Sequence, residues 1–302
     1  MRTEVHSLRS LQPDYFFQRF ISPPLAFQPG QFIMVKPSGS LEPFLPRAYS
    51  ILRVRHTGKK GKKTTVIEIF YKVMGKGSKA LAALKPGDRV DLLGPMGTGY
   101  DVPSSLTTAL LVAGGIGVPP VVALAERLAR SQSPAVGRRS SAIGRRPSAA
   151  GRPRMVAFIG GKTSDDVLCV NDFRKAGATV RVATEDGSRG RQGLVTELLE
   201  SYLRSLDNNE RSAIYACGPH PMLHAVARVA ERFEIPCQVS LEADMACGFG
   251  ACMACVIPVK QSAASSQRSA EEGPMADSGQ QKAFYKLCCK DGPVFDAREV
   301  AW

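Results

Sequence analysis

With 302 residues, the chain is long enough for two or three domains with sizeable cores, and no window reaches the roughly eighteen apolar residues a membrane helix requires. Its net charge of +13 would ordinarily point to nucleic acid or another anion. However, ten basic residues are confined to two short segments: Lys59, Lys60, Lys62 and Lys63, and the six arginines between Ser131 and Arg154. Without them 30 basic residues face 27 acidic ones, a balance of +3 that argues against a generally basic fold.

Residues 1–102 read as all-β. Short apolar runs such as Phe27 to Val35, Val66-Ile-Glu-Ile-Phe-Tyr-Lys-Val and Arg89-Val-Asp-Leu-Leu are cut by turn residues, the signature of a small antiparallel barrel. Pro29-Gly30 and Pro86-Gly87-Asp88 have the composition of hairpin turns. Within this region Pro46-Arg47-Ala48-Tyr49-Ser50-Ile51 sets a cation, an aromatic ring and a hydroxyl on one extended segment. Arg47 suits a pyrophosphate, Tyr49 an aromatic ring, and Ser50 a ring nitrogen or oxygen. Read alone, the segment also fits an edge-strand arginine beside a core tyrosine. Gly75-Lys-Gly77-Ser78 is a second phosphate-contacting candidate that equally suits a solvated turn.

Residues 103–239 change character. Thr108-Ala-Leu-Leu-Val-Ala is followed by Gly114-Gly115-Ile-Gly117 and an apolar-periodic stretch from Val121 to Ala129. Met155 to Gly161, Thr179 to Thr184 and Ala213-Ile-Tyr-Ala-Cys217-Gly218-Pro219 repeat the strand-then-turn pattern, with helices expected at Leu194–Leu203 and Pro221–Phe233. Alternating strands and helices imply a doubly wound parallel sheet. A glycine turn opening a helix can hold a phosphate on its backbone N–H groups, but is often only a tight connection. The turns at Thr184-Glu185-Asp186-Gly and Cys217-Gly218-Pro219 would lie at strand carboxyl ends, where such sheets bind ligands. The carboxylates of Glu185 and Asp186 favour NAD over NADP, with Arg189 and Arg191 close by. Segment 131–154, rich in Ser, Arg, Ala, Gly and Pro, reads as an unstructured insertion dispensable for chemistry, and 260–282 reads likewise.

Residues 240–302 hold the densest signal. Cys247, Cys252 and Cys255 form a C-x4-C-x2-C pattern, and Cys288 and Cys289 follow downstream. Plant-type [2Fe–2S] clusters use this spacing with one distant fourth thiolate. Gly248 and Gly250 let such a loop turn tightly and aim N–H groups at sulfur. A structural zinc is the other reading, although paired C-x2-C units or histidines would be more usual, and no histidine follows His224. Zinc together with the net charge would make a nucleic-acid-binding protein. Met1-Arg-Thr-Glu-Val lacks an apolar leader, so disulfides are not expected and a cytoplasmic location is.

Taken together, the R-x-Y-S segment, Gly-Gly-Ile-Gly and Cys-Gly-Pro resemble the ferredoxin–NADP reductase superfamily. Ser240-Leu-Glu-Ala-Asp-Met-Ala-Cys-Gly-Phe-Gly-Ala-Cys-Met-Ala-Cys and Cys289-Lys-Asp-Gly-Pro-Val-Phe-Asp-Ala resemble, more specifically, the electron-transfer subunits of class 1B dihydroorotate dehydrogenases. The departures are Ala48-Tyr49, where those subunits more often carry proline and an aliphatic residue, and a longer gap before Cys289. The resemblance implies an antiparallel β-barrel flavin domain, an α/β nucleotide domain and a small C-terminal [2Fe–2S] domain. It implies FAD on Arg47, Ala48, Tyr49, Ser50, Phe70, Tyr71, Lys72, Gly77 and Ser78. NAD would lie on Gly115, Gly117, Gly218 and Pro219, with Glu185 and Asp186 nearby. The cluster would sit on Cys247, Cys252, Cys255 and Cys289, Cys289 rather than Cys288 because it directly precedes Lys-Asp-Gly-Pro. It further implies an FMN-containing dihydroorotate dehydrogenase catalytic subunit as partner in a heterotetramer, with electrons passing from that partner to NAD+ in pyrimidine synthesis and no dihydroorotate site on this chain. A related module serving a glutamate-synthase-like flavoprotein would show the same motifs.

Overall fold

The computed structural model describes residues 1–39, 41–57, 64–130, 152–206, 210–260 and 284–302. The lysine run at 59–63 and most of the two expected insertions, 131–151 and 261–283, lie outside the described residues.

Six antiparallel strands close the N-terminal barrel in the order β1-β2-β5-β4-β3-β6. They are β1 (Arg2–Gln12), β2 (Tyr15–Ser22), β3 (Phe32–Pro37), β4 (Arg47–Thr57), β5 (Thr64–Lys72) and β6 (Arg89–Met96). Phe20, Ile33, Ile51, Ile67, Ile69, Val90 and Leu92 fill the interior, the β-branched and aromatic residues that suit a pleated wall. In β5 every residue from Thr65 to Tyr71 is buried, because its inner face lines the barrel core while Phe70, on the other face, joins the core shared with the second domain.

Neither expected hairpin turn closes a hairpin. Pro29-Gly30 joins β2 to β3, which are not neighbours in the barrel, and a helix, α1 (Lys76–Ala82), stands between β5 and β6 ahead of Pro86-Gly87-Asp88. Leu81 of α1 plugs the barrel core. Beneath it the buried amide of Gln18 donates to the Leu81 carbonyl at 3.2 Å and accepts from the Tyr71 hydroxyl at 3.0 Å, which removes the cost of burying it unpaired.

The second layer system is a seven-stranded sheet in the order β10-β9-β8-β7-β11-β12-β15. Its parallel strands are β7 (Thr108–Gly114), β8 (Arg154–Gly161), β9 (Thr179–Thr184), β10 (Arg191–Gln192), β11 (Ser212–Cys217) and β12 (Cys237–Ser240). Helices α2 (Val118–Arg130) and α3 (Val170–Lys175) cover one face, with Leu124 and Phe173 in one core cluster. Helices α4 (Val195–Leu203) and α5 (His220–Arg232) cover the other, with Leu199 and Leu223 in a second. All of β7 is buried, as expected for a central parallel strand covered on both sides.

After β12 an irregular segment leads to a two-stranded hairpin, β13 (Val256–Val259) with β14 (Phe284–Leu287), then to the short helix α6 (Cys288–Asp291) and β15 (Val294–Asp296). β15 adds antiparallel to β12, so the segment carrying the last two cysteines ends as an edge strand of the nucleotide-type sheet. Among the described residues no helix is long and apolar enough to cross a membrane.

Candidate functional site

A cleft of about 450 Å³ opens where the barrel meets the parallel sheet. Ala48, Tyr49 and Ser50 of β4 and Phe70, Tyr71 and Lys72 of β5 line one wall; Ile116, Pro119 and Cys217 line the facing one. Six of the residues expected at the flavin are thereby brought together. Their positions follow from strand pairing. Tyr49 sits opposite Ile33 and Phe70 opposite Phe17, and Phe17 and Phe70 stack at 4.3 Å. Tyr49 and Tyr71 meet at 5.2 Å with tilted rings, and burial pushes the Tyr49 hydroxyl up to about 12, so it remains a neutral hydrogen-bonding group.

Arg47 and Gly77 also meet, at the end of this wall. A side chain on Gly77 would come within 2.9 Å of the Arg47 Nε, and the Arg47 Nη1 donates to the carbonyls of Leu45 at 2.9 Å and Pro46 at 3.3 Å. Gly75-Lys-Gly77-Ser78 is not a free solvated turn but the opening of α1, with Gly75 in the N-cap position. There the Ser78 Oγ accepts from the backbone N–H groups of Met74 and Gly75.

The facing wall is a crossing of two turns. The β7–α2 and β11–α5 turns leave adjacent strands, paired Ala113 to Cys217. A Cβ on Gly117 would lie 2.6 Å from the Cys217 carbonyl, and one on Gly218 3.0 Å from the Gly114 nitrogen. Only glycine permits that approach. Gly115, at φ +49, faces open space, and Pro219 caps α5. Glu185 and Asp186 lie at the carboxyl end of β9, two strands away on the same sheet edge. The Asp186 carboxylate accepts from the Ser188 N–H at 3.0 Å and its hydroxyl at 2.7 Å.

The cleft floor is made by Ser240, Leu241, Glu242, Ala243, Asp244 and Met245, a stretch that carries the family motif but to which the sequence reading gives no site role. They directly follow β12, so the rule that ligands gather at strand carboxyl ends would have found them. On that floor the Glu242 side chain is exposed to water, yet the protein packed around its carboxyl raises it above the usual range by desolvation.

From that floor the chain runs into the thiol loop. Gly248 (φ +81) is pressed onto the barrel, where a Cβ would meet the Met34 Cγ at 2.5 Å and the Met96 Cε at 3.0 Å. Cys252 is exposed, Cys247 half-buried, and Cys255, Cys288 and Cys289 are buried. The two adjacent cysteines differ in direction. The Cys289 N–H donates to the Cys255 sulfur at 3.4 Å, and burial together with the Cys255 and Cys247 thiols pushes Cys289 up to about 12. The Cys288 thiol instead donates to the Leu241 carbonyl at 3.6 Å. Burial opposes ionisation of Cys247, but the backbone N–H groups of Cys252, Phe249 and Ala251 and the Cys252 thiol bring it down to about 6.

Among the described residues no group of three or more His, Cys, Asp or Glu is gathered for a single metal ion. A mononuclear site needs every thiolate about 2.3 Å from one point, whereas a [2Fe–2S] cluster distributes four cysteines around two irons. The Cys289 N–H on the Cys255 sulfur, the backbone donors around the Cys247 sulfur and a left-handed glycine loop fit thiolate ligation of a cluster.

Residues 242–281 match the model of the iron–sulfur cluster binding domain of dihydroorotate dehydrogenase B. Residues 111–228 match the oxidoreductase NAD-binding domain, and 17–100 the oxidoreductase FAD-binding domain. The chain is 39% identical over 276 residues to the electron transfer subunit of dihydroorotate dehydrogenase B (NAD(+)) from Bacillus caldolyticus, covering 90% of this chain and 86% of that one. The like-named protein of Desulforamulus reducens is 30% identical over 301 residues, covering 99% and 97%. Among solved structures, an NADH-dependent reduced ferredoxin-NADP oxidoreductase is similar at a TM-score of 0.71 and 24% identity, covering 99% of this chain and 90% of that one. The ferredoxin reductase of carbazole 1,9a-dioxygenase gives 0.60 at 24% identity, covering 78% and 66%. At these identities the structural likeness speaks to fold alone.

Proposed function

The chain belongs to the family of dihydroorotate dehydrogenase B electron transfer subunits, and from that premise we propose how its residues divide the work of an FAD-, NAD- and iron–sulfur-binding oxidoreductase subunit. The observation that carries the reading is the meeting of three surfaces. The β4–β5 wall and the crossed turns face each other across one cleft, and its floor, Ser240 to Met245, runs straight on into the thiol loop, which Gly248 seats against Met34 of the neighbouring barrel strand. Bound there, FAD supplies a junction between two-electron hydride exchange with a nicotinamide and single-electron exchange with an iron–sulfur cluster.

In this reading Arg47 and the opening of α1, at Gly77 and Ser78, hold the flavin's pyrophosphate. Ala48, Tyr49 and Ser50 with Phe70, Tyr71 and Lys72 hold its ring system. Gly115, Gly117, Gly218 and Pro219 leave backbone room for the nicotinamide nucleotide, with Glu185 and Asp186 toward its ribose. Cys247, Cys252, Cys255 and Cys289 ligate the cluster, and Cys288 stays a buried thiol. The division into 1–102, 103–239 and 240–302 follows these three binding roles, although β15 returns the last segment to the second sheet.

The partner is a catalytic subunit, read here as an FMN flavoprotein oxidising dihydroorotate in a cytoplasmic heterotetramer of two subunits each. Phe249 and Met253, 60% and 58% exposed beside the cysteines, offer it an apolar contact at the thiol loop. The test is anaerobic co-expression with a candidate partner, followed by dihydroorotate-driven NAD+ reduction. The expected result is NADH formation by the complex and NADH-to-dye activity, without dihydroorotate oxidation, by this chain alone. Zinc in place of iron and flavin, or a partner whose activity ignores dihydroorotate, would overturn the reading.

A further inference from the structure

β4 does more than line the cleft. A register shift between Ile51 and Arg53 interrupts its alternation against β5, and the next two side chains both serve the seam with the second domain. Leu52 joins the core of Val118, Val121 and Val122 from α2. Arg53, only 5% exposed, commits each guanidinium nitrogen to a carboxylate on a different element. Its Nε donates to Glu126 of α2 at 2.5 Å, its Nη1 to Glu68 of β5 at 3.3 Å, and its Nη2 to Asp172 of α3.

We propose that Arg53 is a positioning residue for hydride transfer, holding α2 and α3 at one setting against β4. The proposal rests on the reading that β4 carries FAD and the β7–α2 turn carries NAD. Arg53 lies three residues beyond Ser50 on the flavin strand, and Glu126 lies on the helix that opens from Gly117. One rigid link therefore joins the two walls of the cleft. Apolar contact such as that of Leu52 is non-directional and tolerates sliding, and seams between domains of one chain are ordinarily free to move. A buried guanidinium with three carboxylates tolerates no sliding, because a displaced setting leaves a charge buried without its partner. Hydride transfer needs its reacting atoms about 3–3.5 Å apart, and a 1 Å misplacement costs about 10²-fold.

Removing the fork need not unfold the protein. Glu68 keeps Arg19 at 2.7 Å, Glu126 keeps Arg130 at 2.9 Å, and Asp172 is 28% exposed and can be solvated. Arg53→Lys preserves the charge, but a single ammonium cannot satisfy three carboxylates arriving from three directions. A second variant, Glu126→Ala/Asp172→Ala, keeps Arg53 paired to Glu68 inside the barrel and removes both acceptors that reach it across the seam, losing besides them only the exposed Glu126–Arg130 pair.

The experiment is stopped-flow reduction of the FAD-loaded full chain by NADH and by 4-deuterated NADH, with FAD content, thermal midpoint and photoreduction of the flavin measured alongside. In both variants the saturating rate constant should fall about tenfold or more with a larger primary isotope effect, while the NADH dissociation constant stays within about twofold. FAD content and photoreduction, which do not need the nicotinamide wall, should be unchanged. Wild-type rate constants in either variant that folds with FAD, even with a lowered midpoint, would reduce the network to structural glue and overturn the proposal. A wild-type flavin that NADH does not reduce would instead defeat the nucleotide reading, and the proposal with it.

Discussion

The β4–β5 wall and the thiol loop adjoin each other and are built by opposite means. The wall is two paired strands in which Phe70 and Tyr71 are each 3% exposed and every backbone position is set by its neighbours in the ladder. The thiol loop has no regular structure between Ser240 and Val256, turns left-handed at Gly248, Gly250 and Met253, and leaves Cys252 exposed. The difference is one of cause. The wall's shape comes from the barrel core and would stand without a ligand, whereas on the proposed ligation the loop would be held by the bonds its sulfurs make, since metal binding and local folding are one equilibrium.

The largest expected effect tests the loop side of that contrast. Cys289→Ser should reduce iron content and the EPR signal of the dithionite-reduced protein to near background, while FAD content stays close to wild type because the wall does not depend on the cluster. Cys288→Ser should keep the cluster, since that thiol bonds the Leu241 carbonyl and not its fellow cysteines. Loss of flavin together with iron in Cys289→Ser would break the contrast, and a cluster lost only in Cys288→Ser would reverse the ligand assignment.

Next in size is a change on the nucleotide wall, where geometry is again set before any ligand arrives. A Cβ on Gly117 meets the backbone of Cys217 and Gly218 at 2.6 Å, and backbone cannot rotate aside. Gly117→Ala should cost about 1–3 kcal/mol of stability through overpacking. It should also raise the KM for NADH while leaving FAD bound. Gly115→Ala meets open space and pays only for a left-handed residue, roughly 1–2 kcal/mol, without prising the two turns apart. Equal KM values for the two variants would show that the crossing does not shape the nucleotide site.

What could be read from the chain divides along the same line. The barrel and the doubly wound sheet were legible because alternation, apolar runs and glycine turns are local signals, and the cysteine spacing and the Cys289-Lys-Asp-Gly-Pro context were legible as motif. Helix α1 was missed because Gly75-Lys-Gly77-Ser78 reads as a turn, which hides the helix-favouring Lys79-Ala-Leu-Ala82 directly behind it. The Arg53 network left no local trace, since Arg53 and Asp172 are 119 residues apart in sequence and a strand arginine ordinarily reads as solvent-facing. β15 was unreadable as a sheet edge for the same reason: three residues, Val294–Asp296, declare nothing until β12 is beside them.

The smallest effect concerns Glu242, which lies on the floor between wall and loop. Desolvation raises its carboxyl above the ordinary value, so the folded protein favours the protonated form more than the unfolded chain does. Its favourable contribution is therefore complete below the unfolded value of about 4.3 and is lost as pH rises through the raised folded value. Above that point the folded state carries a poorly solvated carboxylate. Glu242→Gln removes the ionisation and keeps the shape, so the variant should gain stability relative to wild type as pH rises from 4 to 8 and should match it at the acid end. Because the Glu242 side chain is exposed to water, solvent screens the penalty, and the gap in thermal midpoint should reach only about 1–2 °C, less than the roughly 2–4 °C that 1 kcal/mol produces in chains of this order. Melts of the two proteins across that range, without added cofactor, decide it. A gap that opened toward acid pH would mean that the carboxylate is held ionised by a cation in the cleft, and the floor would then belong with the loop, as a surface shaped by charge rather than by packing.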